Sequence, residues 1–268
     1  MKTKNYSLLI GASLALVSLT SANAALVAYE GFDYAQNTGL NNQTGGIGWT
    51  TDWIGGNWRT NNSAFTSPQP GGFENSTGLT YTGLTTVGNA ARNGQQGNQG
   101  FRSFATQAAT GTYWISFLMQ KDTTTSGSYG ISLYEGGTER NFMGTANSGN
   151  FSVGGQGANV SSISVSLTPS LFVARYNMDT QLAHFWIDSD LSSTTPTDAS
   201  AFNGSGGTTF TAFAFNRIRL GGFHQQGYLD EIRIGTTAMD VGFIPEPSSF
   251  ALVGLSVLGF VANRRRRA

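Results

Sequence analysis

Three tryptophans, Trp49, Trp53 and Trp58, stand close together in the stretch GWTTDWIGGNWR, with Asp52, Asn57 and Arg59 among them. Flat aromatic rings stack on sugar rings, while amide and carboxylate groups, here Asn57 and Asp52, hydrogen-bond the hydroxyls. Residues of these types at this spacing therefore suit a carbohydrate contact site. The same rings would serve equally well as an apolar plug at one end of a β-sandwich, and residue type leaves both readings open. Trp186 is a further aromatic candidate if its face meets solvent.

Other constellations offer less. The stretch DSDLSSTTPTD places Asp188, Asp190 and Asp198 among hydroxyl and carbonyl oxygens. Those are the hard ligands calcium takes, although no bidentate Glu follows at EF-hand spacing, and a solvated polar loop reads the same way. Retaining glycoside hydrolysis needs two carboxyl groups about 5–5.5 Å apart. A strand supplies such a pair from positions i and i+2, which share a face. Glu30 and Asp33 have the wrong parity, and Asp230 and Glu231, being adjacent, are expected on opposite faces. Asp230 reads better as a buried carboxylate accepting hydrogen bonds from a loop. No Gly-x-Ser-x-Gly elbow occurs, there is no cysteine, and the two histidines have no metal-ligand companions. His184 reads as a cross-strand or surface partner and His224 as part of a turn. No catalytic residue is assigned, no resident cofactor is expected with calcium the one open reading, and the chain is read as non-catalytic.

The elements that must position these residues are strands. In Thr112–Gln120 the side chains of Tyr113, Ile115, Phe117 and Met119 alternate onto one face. Tyr129–Tyr134 and Val160–Leu167 read the same way. LFVARYNMDTQLAHFWID reads as a hairpin turning at Asn177–Thr180, with Ala183, Phe185 and Ile187 on one face and Leu182, His184, Trp186 and Asp188 on the other. Asn216–Gly221 and Tyr228–Ile234 close the series. Gly88–Gly100 reads as a long surface loop. No helical period lasts three turns outside the two ends. Many short strands between Gly-rich turns predict an all-β, antiparallel sandwich, barrel or jelly roll in one domain, residues 25–243.

Composition agrees. The 36 glycines and 11% charged residues suit a turn-rich sandwich, and 12% aromatics exceed what disordered chains carry. The formal net charge of zero hides segregation. Residues 25–243 hold nine Lys/Arg against fourteen Asp/Glu, a net of −5, which gives nucleic acid no basic surface to bind.

The two ends read as addresses. Residues 1–24, MKTKNYSLLIGASLALVSLTSANA, run from two lysines through an apolar stretch to small residues. That is the order of a signal-peptide helix cut after Ala24, with Ala22 and Ala24 at the small-residue positions. Residues 244–268, IPEPSSFALVGLSVLGFVANRRRRA, carry Pro245-Glu246-Pro247, a short hydrophobic helix, and Arg264, Arg265, Arg266 and Arg267. As a helix, Phe250 to Ala262 would reach about 20 Å, less than a hydrocarbon core of about 30 Å. The arginines would hold it with the body outside and the charges in the cytoplasm, in transient inner-membrane insertion. So short a span suits a signal that is read and removed.

The triplet, apolar segment and arginine cluster together resemble the PEP-CTERM sorting signal of exported proteins in Gram-negative bacteria. That resemblance implies recognition and cleavage by an exosortase, after signal peptidase has acted. It also implies a place at the cell surface or in the extracellular matrix, in association with exopolysaccharide. More diffusely, the stretch Ala28–Gly56 resembles the opening of concanavalin A-like jelly rolls. FVARYNMDTQLAHFWID with NRIRLGGFHQQGYLDEIRIG resembles their laminin-G-like version. The expectation is an exported, non-catalytic jelly-roll protein that binds polysaccharide. The alternatives are a glycan-acting hydrolase of the same fold and a purely structural matrix protein.

Overall fold

The computed structural model describes residues 26–36, 38–55, 58–60, 78–93, 99–121, 127–145, 149–154, 159–192, 196, 207–222 and 227–243. The expected signal peptide with Ala22 and Ala24 lies outside these residues, and so does the expected C-terminal signal with Pro245, Glu246, Pro247 and Arg264–Arg267.

The described residues form two antiparallel sheets. One holds eight strands. From edge to edge they run β12 (Thr208–Thr209), β11 (Leu182–Ile187), β10 (Ser170–Asn177), β5 (Thr112–Lys121), β14 (Gly227–Gly235), β3 (Ala91–Asn93) and β2 (Trp58–Thr60). The eighth, β1 (Leu26–Glu30), pairs with the second half of β14. The other sheet orders β4 (Gln99–Gln107), β13 (Phe215–Gly222), β6 (Tyr129–Glu135), β7 (Thr138–Thr145), β8 (Asn150–Gly154) and β9 (Asn159–Ser164). The chain passes repeatedly between the sheets: β13 inserts between β4 and β6, and β14 lies between β5 and β1. This is a jelly-roll sandwich.

The expected alternation holds where it was clearest. Tyr113, Ile115, Phe117 and Met119 of β5 join Phe172, Phe185 and Leu229 in the core between the sheets. The β10–β11 hairpin turns at Asn177, whose Oδ1 accepts from Thr180 N at 2.9 Å. Among the described residues the one short helical turn is a 3-10 helix, Ala238–Val241.

The structure corrects one expectation. Gly88–Gly100 is not simply a surface loop: Ala90, Ala91 and Arg92 are buried, Ala91–Asn93 is strand β3, and β4 begins at Gln99. The outward face of the eight-stranded sheet is covered, so the condition set for Trp186 is not met. Trp114, Leu118, Leu171, Val173, Trp186 and Tyr228 form a second core there, covered by Leu79, Leu84, Leu191, Val241 and Phe243. With both faces covered, β5 is buried nearly from end to end. That explains why apolar Trp114 and Leu118 stand between the inward-facing Tyr113, Ile115, Phe117 and Met119.

Candidate functional site

The tryptophan cluster is built around a buried carboxylate. Glu30, at the end of β1, points into the sandwich and is fully buried. A buried charge must be paired or neutralised, and four donors converge on this one. Arg102 of β4 forms an ion pair with Oε2 in which both side chains are 1% exposed. Trp53 Nε1 and the Tyr34 hydroxyl each donate to Oε2 at 2.9 Å. Phe32 N donates to Oε1 at 2.9 Å. Burial, then the neighbouring carboxylate, pushes the Tyr34 phenol well above its usual range. The Arg102 guanidinium lies 4.9 Å from the Trp49 ring centre and 5.6 Å from that of Trp53, and its Nε donates to Thr51 O.

The structure thereby corrects the platform reading for Trp53. Its ring is 1% exposed, stacked on Phe32 and tied through its indole N–H to Glu30. Trp49 is half-buried, edge-on to Phe104, with Nε1 committed to Tyr29 O at 2.8 Å. These two rings plug the end of the sandwich. Gly46 and Gly48 permit the approach, because a Cβ on either would overlap a β1 carbonyl oxygen, Tyr29 O or Val27 O respectively, and both have φ of +79°. Asp52 is exposed beside the plug. Trp58 lies in β2 opposite Asn93, and Asn57 falls outside the described residues. Trp186 faces away from the main core, as expected, yet is 2% exposed between the rings of Trp114 and His184. His184 is indeed a cross-strand partner, its Nδ1 3.1 Å from Arg175 Nη2. His224 lies outside the described residues.

Asp230 and Glu231 do not point to opposite faces. A bulge interrupts the β14–β5 ladder at this point, with Glu231 at a φ of 51°. The extra residue keeps both carboxylates on the outward side, against segment 78–90. Asp230 accepts from Leu79 N and from Glu231 N, each at 2.8 Å, which is the loop-clamping role expected for it. Glu231 accepts from Val87 N at 2.6 Å, from the Tyr29 hydroxyl at 3.1 Å and from Arg233 Nη2 at 2.6 Å. Burial, reinforced by Glu231, raises the Asp230 carboxyl well above the usual carboxylate range. Burial raises Glu231 too, against the opposing pull of the Val87 amide and Arg233.

In the loop after β11, Asp188 accepts from Leu171 N at 2.8 Å and Ser170 Oγ at 3.2 Å. Asp190 accepts from Ser192 N at 2.8 Å, a local turn that holds its carboxyl below its usual value. Asp198 lies outside the described residues, and no group of three potential metal ligands occurs among those described.

A different cluster sits on the outward face of the six-stranded sheet. Arg219 donates to the Tyr134 hydroxyl and to Ser132 Oγ, each at 2.9 Å, and to Glu139 Oε1 at 2.8 Å. Beside it the Arg217 guanidinium lies 4.0 Å from the ring centre of Phe101, which meets Tyr134 edge-on. Arg219 is nearly buried, but the Glu139 side chain is 33% exposed, and Phe101 and Arg217 are half-buried. The arrangement offers an aromatic surface, a cation and an anion together to solvent. The alternation of Arg217 and Arg219 with Ile218 and Leu220 marks this face in the sequence. Glu139, Tyr134 and Phe101 come from three other strands, and nothing local announces their convergence.

Comparison with known proteins adds one assignment. Residues 243–267 match the PEP-CTERM protein-sorting motif, so the chain carries that signal and is marked for exosortase-linked export to the cell envelope or surface. No curated protein matches the chain. Among solved structures it is similar to a sialidase at 10% identity and a TM-score of 0.41, over 57% of this chain and 16% of that one. It is similar to an alginate lyase from Corynebacterium sp. at 10% identity and a TM-score of 0.38, over 54% and 76%. The T. cruzi calreticulin globular domain is similar at 11% identity and a TM-score of 0.41, over 79% and 88%.

Proposed function

We propose that this is a non-catalytic surface or matrix protein. Its signal peptide is removed after Ala24, an exosortase cleaves the tail near Pro245-Glu246-Pro247, and the released sandwich binds exopolysaccharide. The observation that carries the export reading is the sorting motif at residues 243–267. The tail acts as a brief membrane passenger with its arginines in the cytoplasm. The expected polysaccharide site moves from the tryptophan plug to the outward face of the six-stranded sheet. Phe101 offers a ring edge there, and Arg217 and Glu139 offer charged hydrogen-bonding groups to hydroxyls.

The non-catalytic reading is supported by how the buried carboxylates are used. Glu30 is neutralised by Arg102, Asp230 clamps two backbone amides, and Glu231 is shared by Tyr29, Val87 and Arg233. Calcium, if bound, would fall to the loop of Asp188 and Asp190, and titration with the metal should then raise the melting temperature.

The test is fractionation of cells making the wild-type chain and a Pro245→Ala/Pro247→Ala chain, with binding of the wild type to the cells' own exopolysaccharide measured alongside. The wild type should reach the surface or matrix fraction and bind, and the altered chain should stay with the inner membrane. Equal distribution of the two would refute the sorting role.

A further inference from the structure

The sorting motif starts on a residue that is part of the folded core. Phe243 is 2% exposed and packs against Trp114, with ring centres 6.2 Å apart. Its backbone N–H donates to Ala238 O, and that of Gly242 donates to Met239 O. Val241, fully buried, has its carbonyl held by Ser116 Oγ at 3.1 Å. Upstream, Asp240 Oδ2 accepts from Thr236 N, Thr237 N and Thr237 Oγ1 between 2.8 and 3.0 Å. Gly242 completes the turn at a φ of 106°, where a Cβ would run into Leu84. Residues 236–243 are therefore a latch closed over the outward face of the eight-stranded sheet.

Pro245 follows that latch by two residues, at most about 7 Å of extended chain. An enzyme that cuts a peptide commonly holds several residues on both sides of the scissile bond as an extended strand, through their backbone groups. Around the triplet, those residues include Gly242 and Phe243, whose side-chain space and backbone donors are already occupied.

We propose that the latch is a brake on tail removal, and that cleavage proceeds from a locally opened form in which Ala238–Phe243 has lifted away from Trp114 and Ser116. This rests on the sorting reading and adds its regulation: the body must be exported and folded, yet its last turn must open, before the tail is lost. Where opening and closing are fast relative to cutting, the rate of cutting follows the population of the open form.

The experiment compares tail removal over time, by mass spectrometry of the full chain in the exporting cell, for three forms. These are the wild type, Phe243→Ala, and a chain with about eight Gly/Ser residues inserted between Phe243 and Ile244, long enough to clear the body. The spacer form should keep the wild-type melting temperature and lose its tail about tenfold faster, the ratio that ~1.4 kcal/mol of latching would give. Phe243→Ala should fall between the two. A spacer form cut at the wild-type rate or slower would overturn the brake and leave the sorting reading intact. Retention of the arginine tail by all three forms would overturn the sorting reading, and the brake with it.

Discussion

The indole N–H of Trp53 and the Oε2 of Glu30 meet at 2.9 Å inside the sandwich, on the carboxylate that Arg102 neutralises. Each of the three depends on the others. Removing one partner of a buried ion pair leaves an uncompensated charge. Glu30→Ala and Arg102→Ala should each cost about 3–5 kcal/mol in urea unfolding. Trp53→Ala, which empties a large buried volume, should cost a similar ~3–5 kcal/mol. A loss under 1 kcal/mol for Trp53→Ala would mean that the ring does not plug the sandwich.

Asp230 is the fastener for segment 78–90. Asp230→Ala strands the Leu79 and Glu231 amides, and each buried donor left unpaired costs roughly 1–3 kcal/mol. The expected loss is about 2–4 kcal/mol, accompanied by faster amide exchange at Leu79 than at the core strand β5. Unchanged exchange at Leu79 would contradict the role.

Lys121, the last residue of β5, is fully buried, and burial lowers its ammonium from 10.5 to about 8. Between those values the unfolded chain holds a proton that the folded chain has released, so stability rises as pH climbs from about 8 to 10.5. The rise is at most about 3–4 kcal/mol. Lys121→Met should abolish it, as denaturant midpoints across the range would show.

Binding and stability should separate between the two aromatic clusters. Arg217→Ala and Glu139→Gln touch half-exposed side chains. Both should weaken exopolysaccharide binding by about tenfold, the loss of ~1.4 kcal/mol; Arg217→Ala should change the melting temperature little, whereas Glu139→Gln, which takes the carboxylate from the nearly buried Arg219, should lower it as well. Trp53→Ala should do the reverse. Binding lost with Trp53 in a chain that remains folded, and kept without Arg217, would return the site to the tryptophan cluster.

How much of this was legible in the sequence follows from what is local. Strands β5, β10, β11, β13 and β14 were readable because each carries its own period-two pattern and the hairpin turn is marked by Asn177. The second core was not, because Trp114 and Trp186 look like outward residues until segments 78–90 and 238–243 are laid over them. The bulge at Glu231 reverses the parity argument for Asp230 and Glu231, and bulges leave no reliable trace in residue type. Glu30 with Arg102 and Arg219 with Glu139 join residues far apart in the chain. Only the tail was fully legible, since a sorting signal is read as linear sequence by the machinery that receives it.

The most direct measurement is mass spectrometry of the protein recovered from the surface of its own cell, with both termini mapped. The account predicts a chain that begins at Ala25 and ends close to Pro245-Glu246-Pro247, with Arg264–Arg267 gone. A surface protein that still carries Met1 and Ala268 would contradict it.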